Sequence, residues 1–123
     1  MSATVASPWP LELKFSKETR VLSIGFDDGT AIALPAEYLR VESPSAEVQG
    51  HGSGQKQTVA GKRLVNVVRI DPVGRYAVRI VFDDGHDTGL FSWTYLHELG
   101  REQASRWADY ERRLAAARLS RDA

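Results

Sequence analysis

Phe26-Asp27-Asp28-Gly29 and Phe82-Asp83-Asp84-Gly85 are the same four residues, 56 positions apart, and each ends a run rich in apolar residues. The runs are Val21-Leu22-Ser23-Ile24-Gly25-Phe26 and Tyr76-Ala77-Val78-Arg79-Ile80-Val81-Phe82, and both read as strands. Asp-Gly supplies the positive φ that a tight hairpin requires, so the chain is expected to return antiparallel over Thr30 to Leu34 and over His86 to Leu90. Pro35 to Arg40 then reads as a short helical or turn segment, with proline suited to a first helical position. One inserted residue later, Trp93-Thr94-Tyr95-Leu96 echoes Glu37-Tyr38-Leu39. The duplication therefore predicts two copies of a hairpin followed by a short helix.

Outward from the repeats, Leu11, Leu13 and Phe15 alternate with Glu12, Lys14 and Ser16, a half-buried strand. Leu64 to Asp71 is β-branched and reads as a central strand ended by a Pro72-Val73-Gly74 turn. From Ser92 the period changes. Leu96, Leu99, Gln103, Trp107, Tyr110, Leu114 and Ala117 recur at threes and fours and define one face of an amphipathic helix, which Gly100 is expected to divide. The expected fold is α+β: a small twisted antiparallel β-sheet from two duplicated Asp-Gly hairpins, a short helix after each, and a C-terminal amphipathic helix packed on the sheet. Residues 1–10 form an irregular lead-in, 11–115 a single domain, and 116–123 a tail expected to fray.

The whole chain has 123 residues, the size of one domain, and at 42% hydrophobic it is too apolar to be wholly disordered. Sixteen Lys+Arg balance sixteen Asp+Glu, which argues against a nucleic-acid partner held by bulk positive charge. The absence of cysteine excludes disulfides, thiolate nucleophiles, a Cys-zinc site and a Cys-ligated iron–sulfur cluster. No membrane-length apolar run and no secretory leader pattern occur, so the expectation is a cytoplasmic protein without a membrane partner.

Catalytic chemistry is hard to place. There is no Gly-x-Ser-x-Gly elbow, and Gly50-His51-Gly52-Ser53-Gly54 lacks the Gly-Lys-Ser/Thr ending of a phosphate loop, so no enzyme is expected. Glu42 to Gln57 has no apolar periodicity. Such a stretch inside a small domain reads either as a flexible linker or as a functional loop. Histidine is the informative residue type. His97 is given no special role, whereas His86 lies at a hairpin end among acidic groups and His51 in the glycine-rich loop. If the loop folds over the second hairpin, His51 and His86 converge with Asp84 or Asp87, a nitrogen–oxygen set for iron or another divalent ion. The leading expectation is a non-enzymatic protein-binding surface of Ser43, Gln49, His51, Gln55 and His86. Metal binding is the competing one.

Several stretches resemble one family: Asp-Gly-Thr followed by Leu-Pro-Ala-Glu-Tyr-Leu-Arg, Ser-Pro-Ser-Ala-Glu-Val-Gln-Gly-His-Gly-x-Gly-Gln, Pro-Val-Gly-x-Tyr-Ala-Val, and Asp-Gly-His-Asp-x-Gly. Together they look like the gamma-butyrobetaine hydroxylase-like N-terminal domain family over about Leu11 to Leu99. The stand-alone bacterial members of that family are a domain of unknown function. In the larger hydroxylases the similar domain precedes an iron- and 2-oxoglutarate-dependent catalytic domain, missing here, and binds zinc through three Cys and one His. By position that histidine is His86, while Ser43, Ser45 and Val48 stand approximately where the cysteines would be. A related segment is attached to P-loop scaffold ATPases of iron–sulfur assembly, so the resemblance implies a role accessory to iron or iron–sulfur metabolism.

Overall fold

Each Asp-Asp-Gly turn is built from the same hydrogen bonds. In the computed structural model, which describes residues 8–49 and 56–122, Phe26 N–H donates to Thr30 O at 2.8 Å and Phe82 N–H donates to His86 O at 2.9 Å. Gly29 and Gly85 take φ values of 86° and 92°, a conformation that only glycine adopts without strain. The second aspartate closes the turn: Asp28 Oδ1 accepts from Thr30 N–H at 2.9 Å, and Asp84 Oδ1 from His86 N–H at 3.0 Å. The first aspartate clamps the incoming strand. Asp27 exchanges two bonds with the backbone of Trp9, as Asp83 does with Asn66, at 2.8 to 3.0 Å.

These clamps set a third strand on each hairpin. β1 (Pro10–Ser16), β2 (Val21–Phe26) and β3 (Ala31–Pro35) form one antiparallel sheet; β4 (Val67–Val73), β5 (Ala77–Phe82) and β6 (Leu90–Ser92) form the other. β1 and β4 share a register shift at the same place, between Pro10 and Glu12 and between Val67 and Arg69. Pro10 and Pro72 lie on edge strands, where a missing N–H is tolerated. Between the sheets come helices α1 (Ala36–Val41) and α2 (Ala46–Gln49), and after β6 come α3 (Trp93–Arg101) and α4 (Gln103–Ala117). The α+β expectation holds, with two three-stranded sheets in place of one.

The two halves meet as the subunits of a two-fold dimer would, through equivalent contacts made twice. Leu22, Ile24 and Phe26 on β2 and their equivalents Val78, Ile80 and Phe82 on β5 are buried in one cluster with Leu34, Leu39, Phe91, Leu96 and Leu99. Tyr38 O–H donates to Leu99 O at 2.7 Å, and Tyr95 O–H to Glu42 O at 2.5 Å. Arg40 on α1 reaches Asp84 at 2.8 Å, and its counterpart His97 on α3 reaches Asp28 at 2.9 Å. His97, given no role from sequence, therefore ties α3 to the first hairpin.

Four sequence expectations are corrected. The return strand of the second hairpin is Leu90–Ser92, because residues 86–89 leave the ladder so that His86 turns inward. β4 begins three residues later than expected, at Val67, runs on through Pro72 and Val73, and is an edge strand instead of a central one, the place where a proline without an N–H is tolerated. Part of the supposedly unpatterned loop is ordered: Ala46–Gln49 is helical and Ser43, Ser45 and Val48 are buried. Finally, the long helix divides at Glu102 (φ −103°), and Gly100 stays inside α3 because a Cβ there would lie 2.4 Å from Ile32 Cγ2. The expected fraying of 116–123 reckoned only with apolar groups; residues 118–122 also make polar contacts. Ser120 O and Arg121 O accept from Gly61 and Arg63 N–H, each at 2.9 Å. No helix of the described residues is long and apolar enough to cross a membrane.

Candidate functional site

The second copy departs from the first where His86 replaces Thr30 and Gly89 replaces the bulk of Ile32. His86 is 6% exposed and packs beside the Phe82 ring at 5.9 Å. Its Nε2 lies 2.9 Å from Ser43 Oγ and 3.3 Å from Ser45 Oγ, both on the segment leading into α2. Its Nδ1 faces Glu47 Oε2 at 3.7 Å, and Glu47 Oε1 accepts from Thr88 O–H at 2.6 Å. Burial, reinforced by the positive charge of Arg40, holds the imidazole below its usual pKa against the pull of Glu47, Asp84 and Asp87. A neutral imidazole with its proton on Nδ1 accepts the Ser43 hydroxyl at Nε2 and turns that proton toward Glu47, beyond hydrogen-bond distance.

Gly89 makes the site possible, since a Cβ there would sit 2.4 Å from Ser43 Oγ. Gln49 Nε2 donates to Ser43 O at 2.9 Å, and Gln57 N–H to Val48 O at 2.6 Å, which draws the segment's two ends together. Glu42 closes the base. Its carboxylate, 1% exposed, takes Lys56 at 2.8 Å and Arg106 at 2.9 Å on Oε1, with Arg113 3.8 Å from Oε2. A carboxylate so deeply buried requires this cationic company. Lys56, Arg106 and Arg113 were not singled out from sequence, because nothing local links them to Glu42.

Asp84 is engaged on both oxygens. Burial would raise its pKa, but bonds from Lys62 Nζ (2.7 Å), the His86 N–H and Arg40 Nε hold it at about 2. Asp87 is exposed, and His51 and Gln55 lie outside the described residues. Among the described residues no group of three or more His, Asp or Glu is placed to hold a metal. The zinc set implied by the resemblance does not fit either: Ser43 and Ser45 do face His86, but as neutral hydroxyls, and Val48 has no donor atom. Ser43, His86 and Glu47 follow the order of a nucleophilic triad. Ser43 is, however, 0% exposed, so no carbonyl reaches its Oγ.

A family model described as gamma-butyrobetaine hydroxylase-like, N-terminal, matches residues 13–97, which takes in both repeats and the His86 site. The chain belongs to this family. Two proteins solved in solution by NMR superpose with a TM-score of 0.82 each. One is 44% identical over 95% of this chain and 92% of its own; the other is 48% identical over 98% and 90%. A crystal structure of a protein of unknown function from Acidithiobacillus ferrooxidans ATCC 23270, assigned to the DUF971 family, is 43% identical. It covers 74% of this chain and 91% of its own, with a TM-score of 0.63. No functionally curated protein matches the chain. Family membership thus fixes the fold and leaves the role to the chemistry of the chain.

Proposed function

We propose that the chain is a non-enzymatic binding or adaptor domain, and that its recognition face lies where residues 43–49 are seated on the second hairpin. The observation that carries this reading is the buried Ser43–His86–Ser45 network, which fixes the stem of a polar, glycine-rich segment from beneath. A segment meant only to link two sheets needs no such anchorage. Ser43 and His86 are the support, while Glu47, Gln49, Asp87 and Thr88 form the accessible polar rim. Such a rim suits side-chain and backbone hydrogen bonding to a protein partner. The family resemblance to segments on iron–sulfur scaffold ATPases makes proteins of iron and iron–sulfur metabolism the first partners to test.

The test is an NMR titration of the labelled protein with such a purified scaffold. Shifts concentrated over 43–49, 56–57 and 83–88, lost in Glu47→Lys/Asp87→Lys with the remaining spectrum unchanged, support the reading. Shifts confined to another face overturn it. Elemental analysis of untagged protein, with His51→Ala and His86→Ala as controls, addresses the competing chemistry. Stoichiometric iron or zinc that both variants lose would replace the adaptor reading with metal binding by histidine and carboxylate.

A further inference from the structure

We propose that Glu37 and Trp107 form a guanidinium-binding site that the chain's own Arg121 occupies, and that an arginine side chain of a partner peptide takes this site when residues 118–122 lift away. The site lies on α1 and α4, apart from the His86 network. Glu37 is 7% exposed, and Arg121 spans both of its oxygens, with Nε to Oε2 at 2.8 Å and Nη2 to Oε1 at 2.7 Å. The guanidinium carbon sits 5.1 Å from the centre of the Trp107 ring. Beside it a cavity of about 200 Å³, walled further by Pro35, Tyr38 and Gln103, remains open.

A planar cation forked onto both carboxylate oxygens and stacked on an indole is the chemistry of arginine; a lysine ammonium is a point charge and cannot span the two oxygens in that way. The buried carboxylate demands such a cation, since an unpaired buried charge is strongly destabilising. The strap that supplies it is otherwise lightly held. Leu119 is 45% exposed, and the Arg63–Asp122 pair is exposed at 44% and 66%. Two backbone bonds, from Gly61 and Arg63, complete the attachment. Arg121 is therefore the strap's principal anchor and also a tethered competitor, whose local concentration is of the order of millimolar. Any partner arginine has to outcompete it, and removing it opens the site.

The experiment uses the full chain with Arg121→Ala and the peptide acetyl-Arg-Leu-Ser-Arg-Asp-Ala, followed through the Trp107 indole N–H resonance. The variant is expected to bind the peptide at least tenfold more tightly than the wild type. Binding is expected to vanish with Glu37→Gln in the same background, and with a peptide carrying neutral citrulline at its second arginine. Equal affinity for wild type and variant, or binding of the citrulline peptide, overturns the proposal. Arginine amide provides the second arm: binding as tight as the peptide's would assign the site to a small guanidinium compound and overturn the peptide partner. Should Arg121→Ala fail to fold, Asp122→Arg loosens the strap by repelling Arg63 while Arg121 remains. That variant must then bind the peptide more tightly than the wild type, and unchanged affinity overturns the proposal.

Discussion

One methyl group measures how closely the second hairpin is fitted to the segment before α2. Gly89→Ala would place a carbon 2.4 Å from Ser43 Oγ and 3.1 Å from the Phe91 ring, an overpacking expected to cost about 1–3 kcal/mol in urea denaturation. Ser43→Gly added to Gly89→Ala removes the clashing oxygen, so the double variant should recover part of that loss. His86 gives the same network a pH dependence. Its folded pKa is depressed, by burial first and then by Arg40. Between that value and the usual 6.5 the unfolded chain binds more protons than the folded one. Stability is therefore expected to be full above about pH 6.5 and to fall as the pH drops through the folded pKa. Urea midpoints of wild type and His86→Gln across pH 5 to 7.5 would show the slope in the first and its loss in the second; equal slopes would show that other groups carry it.

At the scale of elements, turn chemistry explains why both hairpins carry the same four residues. The phenylalanine is core, the first aspartate clamps the neighbouring strand, the second closes the turn, and the glycine takes φ near +90°. α4 ends differently. Arg118 holds the left-handed conformation at φ 57°, its N–H bonding back to Ala115 O and that of Leu119 to Leu114 O, a cap at which glycine is the usual residue. Arg118→Gly is expected to stabilise the folded chain by up to about 1 kcal/mol, read as a raised melting temperature, because it relieves the only non-glycine strain on the strap. A lowered melting temperature would mean that the freedom gained by the unfolded chain outweighs that relief. Sequence patterning missed α2 and misplaced β6, both set by distant partners: His86 turns inward to meet Ser43, 43 residues away, and takes the residues before β6 with it; the expected helix break falls at Glu102, two residues past Gly100.

For the molecule as a whole, the paired tyrosines act as matched bolts between the halves. Tyr38→Phe strands Leu99 O and Tyr95→Phe strands Glu42 O, so each is expected to cost about 1–3 kcal/mol. Because both halves share one core, unfolding should remain a single transition in either variant; two transitions by fluorescence and circular dichroism would separate the halves. Hairpins, strand alternation, the helical stripe and the family were legible in the chain because turn geometry and periodic burial are local properties. So was His86, as the residue that sets the second hairpin apart from the first. The equivalence of β1 and β4 was not, since Pro-Leu-Glu-Leu-Lys-Phe-Ser and Val-Val-Arg-Ile-Asp-Pro-Val share a backbone clamp and register rather than side chains. Nor were the pairings of Glu42 with Arg106 and of Glu37 with Arg121, 64 and 84 residues apart. Local pattern determined which segments turn, extend and coil; which buried charge meets which cation was decided only when the two halves closed on each other, because ion pairs carry no sequence period and are selected by the space that packing leaves.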